Sequence, residues 1–108
     1  MTAKWIRIIS VMLCTFILAA CSSPEEKKAR FFNKGKELFA KGDYVKAGLE
    51  FKNAIQIDPK FAEGYHMLGM VEIENKEYQK AHGYHSKAVE LDADLLDAHV
   101  ELGKILLM

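Results

Sequence analysis

Residues 31–59 read FFNKGKELFAKGDYVKAGLEFKNAIQIDP, and the same pattern of side chains returns 34 residues later. Gly35, Gly69 and Gly103 mark this period most clearly. The other matched positions are Phe31 with Tyr65 and His99, Tyr44 with Tyr78, Ala47 with Ala81, Ala54 with Ala88, Ile57 with Leu91, and Asp58 with Asp92. A period of this length is typical of proteins in which neighbouring units stack and bury apolar surface between them.

Apolar residues within each unit follow helical spacing and predict a pair of helices per unit. The pattern breaks at residues 41–43, and Asp58 before Pro59 predicts a helix end because a residue preceding proline disfavours the helical region. Small residues at positions 35 and 47 predict close approach of the paired helices. The predicted helices cover residues 25–40, 44–57, 62–75, 78–91 and 95–108.

A 34-residue period with a glycine, an aromatic residue and two alanines resembles the tetratricopeptide repeat (TPR), a pair of antiparallel helices that stacks on its neighbours. The resemblance implies an all-α TPR helix-turn-helix solenoid of two full repeats plus one further helix, after an N-terminal signal helix. The expected units are residues 28–61, residues 62–95, and residues 96–108 as the first helix of a partial third repeat. The TPR resemblance also implies protein binding rather than enzyme activity.

The N-terminal segment predicts a secretory signal. Residues 8–21 carry no charge and follow Lys4 and Arg7. Such a run is too short to span a bilayer comfortably, although an uncleaved anchor remains an alternative. Residues 18–21, Leu-Ala-Ala-Cys, resemble the bacterial lipobox. We therefore expect residues 1–20 to be a lipoprotein signal peptide, with lipidated Cys21 and a short tether over residues 21–28.

The cysteines favour lipidation over a disulfide, because Cys14 lies in the segment that would be removed. Ser22 after the cysteine implies, by the sorting behaviour of such lipoproteins, a periplasm-facing protein of the outer rather than the inner membrane. Ser23, Pro24 and Glu26 predict a capped helix start close to the membrane, unless this part is frayed coil.

Charge argues against nucleic-acid binding. The chain has 15 basic and 15 acidic residues, and no basic stripe covers the surface. The basic residues concentrate in the first repeat, beside the expected lipid. Lys27, Lys28, Arg30 and Lys34 either lie against anionic headgroups or form an ordinary solvated helix face.

The histidines do not predict a metal or catalytic site. His82 and His85 lie three residues apart on one predicted helix, but zinc needs three or four converging ligands. His85 and His99 fall in aromatic core positions of the repeat, and His82 is expected to face outward. No nucleophile or carboxylate pair recurs beside a histidine. The sequence therefore predicts no cofactor, no metal and no enzyme activity.

The TPR resemblance implies that partners bind the concave face formed by the first helix of each repeat. The expected binding residues are Phe32, Lys36, Phe39, His66, Met70, Ile73, Val100 and Lys104. These residues would form a largely apolar groove flanked by Lys36 and Lys104, which suits an amphipathic helix or an extended apolar segment of a protein partner. Chaperone-binding TPRs instead clamp a terminal carboxylate, which Phe32 with Lys36 do not reproduce. Alternatively, neighbouring turns cover Phe32 and Phe39.

Residues 105–108, Ile-Leu-Leu-Met, leave the last helix without a polar outer face. This predicts either a longer TPR array or pairing with another subunit or partner, including self-association.

The layout of lipobox and opening repeats resembles the exosortase-associated (PEP-CTERM system) TPR lipoproteins. This resemblance implies a membrane-anchored scaffold in export or assembly of surface proteins or polysaccharide. Type IV pilus assembly lipoproteins and a truncated remnant without independent function are the alternatives.

Overall fold

The computed structural model describes residues 4–5 and 23–108. Within residues 23–108 the chain forms five helices and no strand, which confirms the all-α prediction. They are α1 (Pro24–Ala40), α2 (Tyr44–Ile57), α3 (Ala62–Glu74), α4 (Tyr78–Leu91) and α5 (Leu96–Leu106). Cys21 and, apart from residues 4–5, the predicted signal peptide lie outside the described residues. In the part that is described, no helix is long and apolar enough to cross a bilayer.

The helices form two hairpins and one further helix. Helices α1 and α2 pack together as the first hairpin, and α3 and α4 as the second. Contacts between α2 and α3 join the hairpins, and α5 packs on α4. A smaller contact between α1 and α3 brings the first helices of the two hairpins to the same side. That side carries the candidate site.

Local signals in the sequence set the helix ends. Ser23 Oγ accepts a hydrogen bond from the Glu26 N–H at 3.2 Å, which confirms the predicted N-cap. Asp43 caps α2 in the same way through the Lys46 N–H. Gly42 turns the chain between α1 and α2 with φ of 81°, and Lys76 occupies the matching turn of the second hairpin with φ of 61°. Lys76 therefore holds a backbone conformation that favours glycine.

The small residues of the repeat allow a ring to lie against the opposite backbone. A β-carbon placed on Gly35 would lie 2.5 Å from Phe51 Cε1, and Phe51 is completely buried. In the second hairpin a β-carbon on Gly69 would lie 2.6 Å from His85 Cε1 and Nε2. The predicted close approach of paired helices is therefore confirmed, and an imidazole takes the place of the phenyl ring in the second hairpin.

An ion pair ties α1 to the linker between the hairpins. Lys28 Nζ lies 2.9 Å from Asp58 Oδ2 and 4.7 Å from the centre of the Phe61 ring, and its side chain is only 15% exposed. The hydrogen bond between them raises the pKa of Lys28 and lowers the pKa of Asp58. Lys28 is thus held within the fold and is not free to contact lipid headgroups. Lys27 and Arg30, two other candidates for that contact, are exposed.

Candidate protein-binding groove

Two adjoining hollows lie along the side formed by α1, α3 and α5. The first has a volume of about 300 Å³ and lies between α3 and α5. It is lined by His66, Met70, Asp97, Val100, Glu101 and Lys104. The second has a volume of about 320 Å³ and reaches α1. It is lined by Phe32, Lys36, Glu63, His66, Met67, Leu95 and Asp97. Because His66 and Asp97 line both, the two hollows form one continuous surface, called the groove below.

The structure places six of the eight expected binding residues in the groove. They are Phe32, Lys36, His66, Met70, Val100 and Lys104. Phe39 and Ile73 line neither hollow. The Phe39 ring packs edge-on against Tyr44, with ring centres 5.1 Å apart, so its contacts lie within the first hairpin. Both residues are half-buried.

Phe32 lies in the floor of the groove rather than on its surface. The side chain is 9% exposed. Its ring centre lies 5.7 Å from that of Phe51 and 4.9 Å from that of Phe61. The alternative that neighbouring parts of the chain cover Phe32 is therefore right for most of its surface. Lys36 Nζ lies 4.8 Å above the ring, which adds a cation–π contact at the rim.

Acidic residues outnumber the lysines around the groove. Glu63, Asp97 and Glu101 line it, against Lys36 and Lys104. Lys104 Nζ also lies 2.8 Å from Glu101 Oε1, so part of its charge is already neutralised. Glu101 was missed by sequence reasoning, although its position one helical turn after Asp97 places both carboxylates on one face of α5. The groove is thus apolar at its floor and weakly acidic at its edge.

His66 connects the groove to the core of the second hairpin. Its Nδ1 atom lies 3.2 Å from Nδ1 of His85, which is completely buried. Burial, together with a smaller effect of the neighbouring His66, lowers the pKa of His85 to about 4. Burial also lowers the pKa of His66, against the opposing effect of Asp97, Glu101 and Glu63. Both imidazoles are therefore neutral at pH 7.

The remaining histidines have separate surroundings. His82 is exposed, as expected. His99 was expected in the core but is exposed, and its Nε2 lies 2.9 Å from the Ala93 carbonyl oxygen. Tyr65 makes the matching contact in the second hairpin, where its hydroxyl donates to the Pro59 carbonyl at 3.1 Å. His99 therefore ties α5 to the preceding linker. Across residues 4–5 and 23–108, no group of three or more His, Cys, Asp or Glu residues could hold a metal ion.

A larger and shallower hollow of about 540 Å³ lies elsewhere, beside α4. It is lined by Tyr65, Lys80, Gly83, Tyr84 and Lys87. Gly83 opens it, since a β-carbon there would meet nothing within 4 Å. Sequence reasoning did not identify this hollow, because a lone glycine on an exposed helix face carries no periodic signal.

Helix α5 leaves an apolar surface uncovered in the described chain. Leu106, Leu107 and Met108 are 77%, 90% and 69% exposed. Gly103, unlike Gly35 and Gly69, has no neighbour within 4 Å of a β-carbon placed on it. The space beside Gly103 is therefore empty in the described chain, whereas a ring fills the same space beside Gly35 and Gly69.

Comparisons with known proteins agree with this architecture. Residues 35–72 match the family model of the TPR repeat. Peroxisome biogenesis protein 5 of Arabidopsis thaliana is 34% identical over 70 residues, which is 65% of this chain and 10% of that protein. A UDP-N-acetylglucosamine–peptide N-acetylglucosaminyltransferase of Giardia intestinalis is 29% identical over 92 residues, which is 85% of this chain and 6% of that protein. The chain thus spans a tenth or less of the length of these relatives.

A similar solved structure is the second TPR of Spaghetti (RPAP3) bound to the HSP90 peptide SRMEEVD. It superposes with a TM-score of 0.73 at 20% sequence identity, and the match covers 76% of each chain. At 20% identity this likeness shows the fold alone. The stacked helical hairpins described above therefore have the same arrangement as the repeats of that domain.

Proposed function

We propose that this chain is a membrane-anchored scaffold of the bacterial cell envelope. Its residues 35–72 match the TPR repeat model, and TPR domains generally mediate protein–protein interaction. It holds a protein segment in the groove between α1, α3 and α5, and it serves export or assembly of surface proteins or polysaccharide. The observation that carries the proposal is the continuity of the two hollows through His66 and Asp97.

The lining of the groove defines the bound segment. Met67, Met70 and Val100 offer apolar contact surface, and methionine adapts to ligands of different shape. Three carboxylates against two lysines disfavour an acidic segment such as SRMEEVD, the HSP90 peptide bound to the TPR of Spaghetti. We expect an apolar or amphipathic segment that carries a basic residue for the Glu63 and Asp97 carboxylates, since Glu101 is paired with Lys104.

The N-terminal sequence supports the anchor. The uncharged run of residues 8–21 ends at Cys21 in the pattern of a lipobox, and α1 begins at Pro24. A lipidated Cys21 would therefore hold the repeats close to the membrane surface, with a connection of only two residues. Acyl chains contribute roughly 0.8 kcal/mol per buried methylene, so several chains would anchor the domain durably.

Replacement of Met70 by Glu tests the groove, because it adds a charge where the partner is expected to place apolar side chains. The full-length variant should lose its stoichiometric partner in detergent-solubilised envelope while its circular dichroism spectrum stays helical. Gln79→Glu is the matched control, since Gln79 is exposed and lines neither hollow. Retention of the partner by Met70→Glu, or equal loss from both variants, would refute the groove as the binding site.

The Cys21→Ser substitution tests the anchor independently. The substitution removes the thiol that would carry the lipid, and we expect the protein to leave the membrane fraction when cells are fractionated. Cys14→Ser is the control, because Cys14 lies inside the predicted signal peptide. Unchanged membrane retention of Cys21→Ser would count against lipidation as the anchor.

A further inference from the structure

The contact between His66 and His85 requires one proton between the two Nδ1 atoms. They lie 3.2 Å apart, and both rings are neutral at pH 7. A neutral imidazole carries one N–H and one acceptor nitrogen, so one ring donates from Nδ1 and the other accepts there. Two arrangements satisfy this requirement. The donor ring carries its proton on Nδ1 and the acceptor ring carries its proton on Nε2, so the arrangements differ in which of the two histidines is the donor.

The surroundings of His85 Nε2 distinguish the two arrangements. This atom is buried without a hydrogen-bond partner. It lies 2.6 Å from the position that a β-carbon of Gly69 would take, so it points at the backbone of α3. A proton on Nε2 would face Gly69 with no acceptor, and buried N–H groups without an acceptor are rare. His85 is therefore protonated at Nδ1 and donates to His66.

We propose that His85 is a positioning residue that fixes His66 as the tautomer protonated at Nε2, so that the floor of the groove presents an N–H donor. His66 Nδ1 accepts from His85, which leaves its single proton on Nε2. Within residues 23–108 the Nε2 atom of His66 makes no hydrogen bond and is not among the buried atoms that lack a partner. His66 lines both hollows, and its Nε2 atom is on a different edge of the ring from the Nδ1 atom that faces His85.

This inference deepens the proposed function, on which its consequence for the partner rests. A fixed N–H donor among Met67, Met70 and Val100 selects a segment that offers a hydrogen-bond acceptor beside its apolar side chains. The main-chain carbonyl of an extended or locally unwound segment has this chemistry. A regular helix uses its carbonyls internally, except in its last turn.

Nitrogen NMR of the full-length protein, labelled with ¹⁵N at histidine and held in detergent micelles at pH 7.5, tests the tautomers without any ligand. Two-bond ¹H–¹⁵N correlations should show His66 protonated at Nε2 and bare at Nδ1, with the opposite pattern for His85. In His85→Phe, which copies Phe51 of the first hairpin, His66 should become a mixture of tautomers, because no N–H then faces its Nδ1 atom. The exposed His82 should be unchanged.

Protonation of His66 at Nδ1 in the wild-type protein would overturn the inference. The same single tautomer of His66 in His85→Phe would also overturn it, because His85 would then not be what fixes the ring. If Met70→Glu retains its partner, the groove is refuted as the binding site, but the tautomers of His66 and His85 are still measured without any partner. The two hypotheses can therefore fail separately.

Discussion

The aromatic ring of Phe51 lies directly against Gly35, at a distance that leaves no room for a side chain. A β-carbon on Gly35 would lie 2.5 Å from Cε1 and 2.7 Å from Cδ1 of the ring. The ring cannot move aside easily, because Phe51 is completely buried. This contact sets the distance between α1 and α2.

Gly35→Ala should therefore destabilise the protein. Overpacking of a core costs about 1–3 kcal/mol, which exceeds the gain of up to about 1 kcal/mol from replacing a glycine inside a helix. Gly103→Ala is the matched control at the same repeat position, where nothing lies within 4 Å. Thermal unfolding should show a lower melting temperature for Gly35→Ala and an unchanged or higher one for Gly103→Ala. Equal effects would contradict the packing described for Gly35.

Acid should weaken the second hairpin through His85. Its pKa is about 4 in the folded protein and near 6.5 in the unfolded chain, so the unfolded state binds more protons between these values. The free energy of unfolding should fall by roughly 2–3 kcal/mol as the pH falls from 6.5 to 4. Glu101 on α5 opposes this loss, whereas His66 on α3 and His82 on α4 add to it.

His85→Phe should abolish most of this pH dependence, and His82→Ala should preserve it. Urea unfolding at several pH values measures the difference. Asp58 contributes at lower pH, because its hydrogen bond with Lys28 holds its pKa below the ordinary 3.8. The same slope between pH 4 and 6.5 in the wild type and in His85→Phe would show that His85 is not its source.

Lys76→Gly should stabilise the turn between α3 and α4. Lys76 has φ of 61°, where a residue with a β-carbon loses about 1–2 kcal/mol relative to glycine. The matching turn already uses Gly42. Chemical denaturation should show a gain of about 1 kcal/mol for Lys76→Gly and a loss for Gly42→Ala. A loss of stability in both variants would mean that Lys76 stabilises the fold by other contacts.

The acidic edge of the groove should exclude acidic peptides. SRMEEVD should show no saturable binding in a titration followed by NMR, because Glu63, Asp97 and Glu101 line the groove. Replacing these three residues by their amides, Gln or Asn, should reduce the repulsion without changing the size of the side chains. Tight binding of the peptide to the wild type would contradict the electrostatic description of the groove.

The sequence predicted helices well because local signals end them. The bounds of α2 and α4 agree with prediction to the residue. Gly42 and Asp58-Pro59 supply the breaks around α2, and the 34-residue period gives the same bounds for α4. The predicted end of α5, residue 108, lies two residues beyond the observed end at Leu106. The 34-residue period also predicted which positions are small and which carry rings. The helix ends depend on residues close together in the chain.

Burial and pairing between distant residues were harder to predict. Lys28 and Asp58 are 30 residues apart, and His66 and His85 are 19 apart, so no periodic pattern indicates that they touch. The exposure of His99 depends on what covers α5, which the repeat position alone does not specify. The roles of Phe39 and Phe32 differ because only Phe32 lies beside Phe61 of the following linker.

Site-specific photocrosslinking in living cells measures most directly whether the groove binds a protein. The photoreactive residue p-benzoylphenylalanine replaces Val100, which lines the groove and is 46% exposed, or Gln79, which lines neither hollow. We expect a single discrete crosslinked product from position 100 that disappears when Met70→Glu is added. Crosslinking from position 79 alone, or a product from position 100 that survives Met70→Glu, would contradict a binding site between α1, α3 and α5.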